Sequence, residues 1–248
     1  MSTIYILWLR QIKRYLRSRT RIIGALGQPL LFMVAFGFGF GAIFARAGAG
    51  NYMNFLIPGI IGQSILFTAI SSGIDLIWDR QFGFLKETLA APVSRFEIFF
   101  GRTLGGATVA TLQGMIVLGL SFIVGFRPFS VLEMLISVPA MFLISLLFTA
   151  LGTAIATKME DFHGFQLIMN FLVMPLFFLS GALFPMDSMP KTLKTIATFN
   201  PLSYGVDLIR GLLANTSHFG YSLDLLVLGA LTTFLLILGS FLFSRIEV

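Results

Sequence analysis

The sequence predicts an all-α polytopic membrane protein, and its composition and charge pattern support this fold class. Charged residues make up 11% of the chain, less than half of the roughly 25% that is usual in soluble domains. Hydrophobic residues reach 56%, and the mean hydropathy is +0.91. Six charge-free stretches are each long enough to cross a bilayer as a helix. These features exclude an ordinary soluble enzyme and a disordered chain.

Helices are favoured over strands because the charge-free stretches are long and continuously apolar. A transmembrane strand is about 10 residues of alternating pattern, which none of the six stretches resembles. We therefore treat residues 1–248 as a single transmembrane domain with six transmembrane helices. The predicted spans are residues 22–45, 56–78, 103–126, 133–157, 165–185 and 222–244.

The distribution of Lys and Arg predicts the orientation in the membrane. With a cytoplasmic N-terminus, twelve of the 17 basic residues flank the spans on the cytoplasmic side and five lie outside. Because basic residues concentrate on the cytoplasmic side, we predict a multi-pass protein of the cell membrane (plasma or inner membrane) with both termini in the cytoplasm. The net charge of +6 reflects this asymmetry, so no nucleic-acid partner is expected.

The N-terminal segment is predicted to form an amphipathic helix over residues 3–18. At helical spacing, Arg10, Lys13, Arg14 and Arg17 fall on one side, and aromatic and aliphatic side chains fall on the other. Such a helix lies in the membrane interface and contacts membrane lipid. One interpretation is a membrane anchor, and the other is an additional docking surface for a cytosolic partner.

The cytoplasmic loop 79–102 is predicted to contain a second short amphipathic helix. Phe84, Leu85, Thr88 and Leu89 can share one face of that helix. Either lipid headgroups or a protein partner must cover such an apolar face, and the spacing alone favours neither.

The outer loop 186–221 is predicted to hold a hairpin of two short helices. Residues 191–199 fit the first helix, and an Asn-Pro pair breaks it. Ser203 can cap a second helix that runs to about Leu213. Both are too short and too polar to span the membrane. They lie on the outer surface or dip inward as a re-entrant hairpin covered by protein.

The sequence contains no recognisable catalytic motif. Phosphate-binding and nucleophile-elbow patterns are absent, Cys does not occur and only two His are present. The central parts of the spans carry no carboxylate, although ion-coupled carriers use such groups. We therefore expect no catalytic site, metal or cofactor in this chain, and an energy source elsewhere for any active transport.

Polar side chains in the second and fifth predicted spans indicate a substrate path. In the second span they recur at helical spacing. The competing interpretation is interhelical hydrogen bonding, which small polar residues supply in any membrane bundle. Taken together, the two spans favour a path. Its candidate residues are Gln63, Phe67, Thr68, Ser71, Asn170, Phe177 and Ser180.

Two segments carry a resemblance to a known family. The first segment, residues 177–213, begins with the aromatic end of a span, which is followed by Ser-Gly and by outer prolines. It continues with Asn-Pro-Leu-Ser-Tyr and an Arg six residues later. The second segment, residues 86–95, reads KETLAAPVSR. With these motifs, the chain resembles the membrane subunits of type-2 ATP-binding-cassette (ABC) exporters over about residues 5–245. In size and loop lengths it is similar to the daunorubicin-resistance type. The matching outer residues are Pro185, Asn200, Pro201, Tyr204 and Arg210.

The resemblance implies partners and a mechanism. Two membrane subunits, identical in a homodimer, would pair with spans one, two and five facing the dimer axis. Two separate ATPase subunits would hold ATP and Mg, and a coupling helix in loop 79–102 would contact them. The complex would export an amphipathic drug, lipid or glycolipid-like substrate by alternating access. The implied coupling residues are Arg80, Phe84, Leu85, Lys86, Glu87, Thr88, Leu89 and Arg95.

Two other interpretations remain open from the residues alone. An ion-coupled secondary carrier would transport without an ATPase and stop when the ion gradient collapses. A non-transporting membrane scaffold would keep its activity when bulky side chains block the path.

Overall fold

The computed structural model describes residues 2–46 and 52–246, without the side chains of residues 42–46. These residues contain eleven α-helices and a 3₁₀ turn over Met186–Ser188, and they include no β-strand. The helices are α1 (Thr3–Arg17), α2 (Arg19–Arg46), α3 (Tyr52–Ser71), α4 (Ile74–Gln81), α5 (Phe84–Ala90), α6 (Arg95–Ser121), α7 (Val131–Ala156), α8 (Phe162–Phe178), α9 (Lys191–Phe199), α10 (Pro201–Ala214) and α11 (Tyr221–Ser244).

Five helical segments are long and apolar enough to cross a membrane, which confirms a polytopic helical membrane protein. They are α2, α3 together with α4, α6, α7 and α11. The predicted fifth span, residues 165–185, differs: α8 has 17 residues and ends at Phe178. A turn follows, in which Gly181 adopts a φ of 73° and Ser180 Oγ accepts a hydrogen bond from the Ala182 amide.

The core lies where α3, α6 and α7 pack against one another. The side chains of Ile57, Ile61 and Ile65 on α3 are completely buried. Glycines allow the close approach of α7: a Cβ added to Gly152 would lie 2.5 Å from the carbonyl oxygen of Ile70.

The second predicted span, residues 56–78, is one helix by sequence but two in the structure. The helix starts earlier, at Tyr52, and is interrupted between Ser71 and Ile74. Gly73 in the interruption lies against α7, where an added Cβ would be 2.5 Å from the Gly152 carbonyl oxygen. The interruption therefore coincides with a backbone-to-backbone contact that a larger side chain would prevent.

The N-terminal helix α1 packs lengthwise against α6. Trp8 Nε1 donates a hydrogen bond to Thr108 Oγ1 at 3.0 Å, and the Tyr15 hydroxyl donates to Gln113 Oε1 at 2.5 Å. Burial raises the pKa of Tyr15 above its ordinary value. One face of α1 is thus attached to the bundle.

Most of the predicted loop 79–102 is helical. α4 continues to Gln81, α5 occupies the middle, and α6 begins at Arg95 rather than at the predicted Thr103. Ser94 starts α6 early because its side chain accepts a hydrogen bond from the Glu97 amide at 3.2 Å.

The outer segment contains one exposed helix and one buried helix. The bounds of α9 match the predicted residues 191–199. α10 begins at Pro201, before the predicted cap Ser203, because Asn200 Oδ1 accepts a hydrogen bond from the Leu202 amide at 2.9 Å. α10 packs against α3, α7 and α11. The sequence leaves open whether the two helices lie on the outer surface or are covered by protein. The structure shows that α10 is covered by protein, whereas α9 is exposed.

Candidate translocation cleft and coupling surface

A cleft of about 400 Å³ is lined by residues of α1 and α2 together with residues of α3 and α4. Three of the predicted path residues, Phe67, Thr68 and Ser71, line it. A fourth, Gln63, lines a separate small pocket of about 10 Å³ that shares Phe67 and Thr68 with the cleft. The polar row of the second span therefore faces α2 across an open space.

Two polar atoms of this row bear on the choice between a path and interhelical bonding. Gln63 Oε1 and Ser64 Oγ are buried and have no hydrogen-bond partner within the described part of the chain. A buried polar atom without a partner is costly unless a ligand or water serves it. Thr149 Oγ1 on α7 and Thr232 Oγ1 on α11 are in the same state and do not line the cleft, so the two atoms of the row do not select one interpretation.

The fifth-span candidates, which lie on α8 and in the turn after it, do not line this cleft. Asn170 is exposed on α8, and Ser180 is buried, where its hydroxyl donates to the Phe177 carbonyl at 2.7 Å. Phe177 reaches α2, since its ring stacks on Phe32 with 5.9 Å between centroids. The structure therefore separates the two groups of residues that the sequence analysis combined.

Asp75, in the first turn of α4, lines the cleft. Arg14 Nη2 and Arg21 Nη1 approach Asp75 Oδ1 at 3.4 and 3.5 Å. Both distances exceed the roughly 2.7–2.9 Å of a charge-assisted hydrogen bond. The Asp75 side chain is 7% exposed, whereas those of Arg14 and Arg21 are 39% and 35% exposed. The two guanidinium groups are therefore more exposed than the carboxylate that they approach.

One turn further along α4, Asp79 is tightly bound by two arginines. Arg10 of α1 donates to both carboxylate oxygens, at 2.9 and 2.8 Å, and Arg102 of α6 donates at 2.5 Å. The hydrogen bond to Asp79 raises the pKa of Arg10 above its ordinary value. Because Arg102 is buried, it requires this counter-ion. Sequence analysis missed these partners, since Arg10 lies 69 residues from Asp79.

The predicted coupling helix is present as α5. Gly83, with a φ of 80°, provides the left-handed turn that separates α5 from α4. The Arg10 guanidinium lies 3.9 Å from the ring centroid of Phe84, the first residue of α5. Arg10 therefore contacts α4 and α5 at once.

The structure divides the predicted coupling residues into exposed and buried groups. Lys86 and Glu87 are exposed, whereas Leu85 is completely buried in the subunit and Leu89 packs partly buried against the core. The resemblance implies that Leu85 and Leu89 contact an ATPase subunit, whereas the structure buries Leu85 completely and Leu89 partly within the chain itself. Leu85 is the residue that anchors α5 to its own subunit.

The remaining predicted coupling residues contact backbone within the chain. Arg80 Nη1 donates to the Met159 carbonyl at 2.8 Å, and Arg95 Nη1 donates to the Ile246 carbonyl at 2.6 Å. The Thr88 hydroxyl donates to the Phe84 carbonyl at 2.8 Å within α5. These side chains hold the segment around α5 in place.

Arg210 joins three parts of the outer half of the molecule. Its Nη2 donates to the carbonyls of Gly181 and Ala182 at 3.0 and 3.4 Å, in the turn after α8. Its Nε donates to the Phe55 carbonyl at 3.3 Å, and the guanidinium lies over the Phe55 ring. The Arg of the outer motif therefore connects α10, α3 and the end of α8.

The other outer residues stabilise the same region. Asn200 Nδ2 donates to the Leu176 carbonyl, and the Tyr204 hydroxyl donates to the Thr198 carbonyl, both at 2.6 Å. Pro185 immediately precedes the 3₁₀ turn.

Two outer carboxylates outside the predicted set also have partners. Asp207 on α10 accepts hydrogen bonds from the backbone amides of His218 and Phe219 at 2.8 Å. A hydrogen bond from Lys194 lowers the pKa of Asp187, an exposed carboxyl. Asp207 thereby ties the loop before α11 to α10.

Comparison with known proteins assigns this chain to a family. The family model described as the ABC-2 type transporter matches residues 2–214, which run from the N-terminal helix to the end of α10. The chain belongs to the ABC-2 type transporter family. It is therefore the membrane subunit of an ABC transporter, and the family implies ATPase partner subunits.

Named relatives of this ABC-2 subunit agree with that assignment. It is 32% identical over 216 residues to the transport permease ycf38 of Cyanophora paradoxa, a match that covers 84% of this chain and 71% of the relative. It is 29% identical over 191 residues to nodulation protein J of Rhizobium leguminosarum bv. trifolii, covering 76% and 72%. With nodulation protein J of Rhizobium meliloti (strain 1021) it shares 24% over 219 residues, covering 87% and 83%.

Proposed function

We propose that this ABC-2 subunit exports an amphipathic drug, lipid or glycolipid-type substrate from the cytoplasm by alternating access. Two separate nucleotide-binding subunits bind Mg and hydrolyse ATP, and this chain contributes no catalytic site and no cofactor. The membrane part is a homodimer in the plasma or inner membrane, with both termini of each chain in the cytoplasm.

The proposal rests on a series of contacts that connects α5 with the cleft. Arg10 touches Phe84 on α5 and binds Asp79 on α4. The same short helix α4 carries Asp75, which lines the cleft. A partner that displaced α5 would therefore move the cleft wall through charge-assisted hydrogen bonds and a rigid helix.

The cleft lining supports an amphipathic substrate. Phe67 and the small residues of α2 offer apolar contacts, while Thr68 and Ser71 offer hydroxyl groups. Apolar walls with a few polar groups are typical of small-molecule sites. The relative's name, transport permease, supports transport, and the outward direction follows from the resemblance to exporters.

Reconstitution tests the proposed function. The chain is co-purified with its ABC ATPase partner subunits and placed in liposomes with a fluorescent amphipathic drug or lipid. We expect substrate movement that requires both ATP and the ATPase subunit and that continues when ionophores collapse all ion gradients. Transport by the chain alone on an ion gradient would support the secondary carrier instead. A stable complex without transport of any substrate class would support the scaffold.

A further inference from the structure

We propose that Arg14 and Arg21 form a head-group site that binds an anionic amphiphile, by its phosphate, sulfate or carboxylate, in the cleft lined by residues of α1 to α4. This inference deepens the proposed function and rests on it, because it names the substrate class that the cleft admits. Three observations support it: the different hydrogen bonding of the carboxylates of Asp75 and Asp79, the greater exposure of the arginines compared with Asp75, and the residues that line the cleft.

The two carboxylates of α4 differ in how fully their hydrogen-bonding capacity is used. Asp79 accepts short bonds of 2.5–2.9 Å from two arginines and lies away from the cleft lining. Asp75 meets Arg14 and Arg21 only at 3.4 and 3.5 Å. Arg14 and Arg21 therefore retain donors for a further anion, whereas Arg10 is committed to Asp79.

The charges of the cleft are ordered so that a ligand meets cations first. The side chains of Arg14 and Arg21 are 39% and 35% exposed, whereas the Asp75 side chain is only 7% exposed. The lining contains two cations and one carboxylate, so its net charge is positive. An anion would be attracted at the opening, and a cationic head group would be repelled before it reached Asp75.

The rest of the cleft suits an amphiphile rather than a free ion. Next to the arginines, Thr68 and Ser71 offer hydroxyl donors to anion oxygens. Beyond them, Gly24, Ala25 and Phe67 form an apolar wall that can hold an alkyl chain. The volume of about 400 Å³ accommodates a head group and the first part of a chain.

Trp78 supplies a reporter at this site. It lines the cleft, and Trp8 is the only other Trp in the chain. The subunit carrying Trp8→Phe is placed in phosphatidylcholine nanodiscs, and Trp78 emission is followed during titration with dodecyl phosphate, dodecyltrimethylammonium or inorganic phosphate. We expect saturable binding of dodecyl phosphate at least tenfold tighter than either of the other two. Equal or tighter binding of the ammonium compound would overturn the anionic assignment, and equal binding of inorganic phosphate would overturn the amphiphile.

Matched charge removals locate the binding. Arg14→Gln with Arg21→Gln should weaken dodecyl phosphate binding by about tenfold or more, since each charge-assisted bond contributes about that factor. Lys158→Gln with Arg245→Gln removes the same charge from exposed residues that share no groove with Arg14 or Arg21 and should change binding less than twofold. Equal losses in the two pairs would show general surface attraction and overturn the site.

Asp75→Asn keeps both arginines and is expected to change the binding affinity in the opposite direction. Removal of the competing carboxylate should tighten dodecyl phosphate binding several-fold, and weaker binding would contradict the proposal. This variant also decides the question if the double arginine variant fails to fold. All titrations use the subunit without ATP or ATPase. If dodecyl phosphate does not bind in these titrations, the head-group site is wrong, but the proposed export function is unaffected. If dodecyl phosphate binds but the reconstituted complex transports nothing, the export function is wrong, but the head-group site is retained.

Discussion

Asp79 illustrates how single residues stabilise a charge inside this bundle. Its carboxylate accepts hydrogen bonds from Arg10 on α1 and from Arg102 on α6, and the Arg102 side chain is only 3% exposed. Taking a guanidinium out of water costs several kcal/mol, which the paired carboxylate offsets. The stability of the α1–α4–α6 contact should therefore depend on this one side chain.

Asp79→Asn tests this dependence at the scale of one residue. The variant leaves Arg102 buried without a counter-ion, and we expect a loss of unfolding free energy on the order of 3–5 kcal/mol. The measurement is reversible unfolding of the purified subunit in detergent micelles. Asp187→Asn, which removes an exposed partner of Lys194, is the control and should have little effect. A similar loss in both variants would contradict a special role for Asp79.

At the scale of elements, α1, α4 and α5 form one connected unit beside the cleft. Leu85 anchors α5 in the core, Arg10 links α1 to both other helices, and Lys86 and Glu87 remain exposed. On α5 the exposed charges, rather than the leucines, are accessible to a partner, and Phe82 just before the helix is 74% exposed.

Reversing those two charges tests α5 as the coupling helix. Lys86→Glu with Glu87→Lys preserves the net charge and the fold but inverts the pattern that a partner would meet. We expect much weaker co-purification with the ATPase subunit and loss of substrate-stimulated ATP hydrolysis. Lys191→Glu, on exposed α9, is the control. Unchanged co-purification of the double variant would assign coupling to another element.

The contact between α3 and α7 makes a second prediction at the scale of elements. Gly152→Ala would place a Cβ 2.5 Å from the Ile70 carbonyl oxygen, so the two helices must separate. We expect a destabilisation of about 1–3 kcal/mol, as for other overpacked cores, measured by thermal unfolding in detergent. Gly119→Ala on α6, where no atom lies within 4 Å of the added Cβ, should be neutral or slightly stabilising. The opposite order would contradict the close approach.

For the whole molecule, two exposed apolar faces are candidates for contact with a second copy. On α2 and α8, Phe38 is 67% exposed and Phe171 is 83% exposed, and α8 contacts the helices that form the cleft. On α11, Ile237 is 67% exposed. Lipid can cover both faces, so exposure alone does not select a dimer interface. The resemblance to homodimeric exporters favours the α2–α8 side.

Cysteine cross-linking distinguishes the two faces, because the chain has no native Cys. In native membranes, Phe171→Cys should give a cross-linked dimer with a short bis-maleimide, and Ile237→Cys should stay monomeric on gels. The physical reason is that the second copy would bring two α8 helices together and leave α11 facing lipid. Cross-linking through Ile237→Cys alone would place the interface on the α11 side.

The sequence by itself determined the fold class and the approximate positions of the helices, because a bilayer imposes a local requirement that appears as charge-free stretches of spanning length. It also predicted the N-terminal amphipathic helix, α5 and the bounds of α9 from periodicity and turn residues. Tertiary structure alone decided that Leu85 is buried, that Asn170 lies away from the cleft and that Arg10 binds Asp79. These outcomes depend on how distant helices pack, and residues 69 positions apart share no periodic signal that could have paired them.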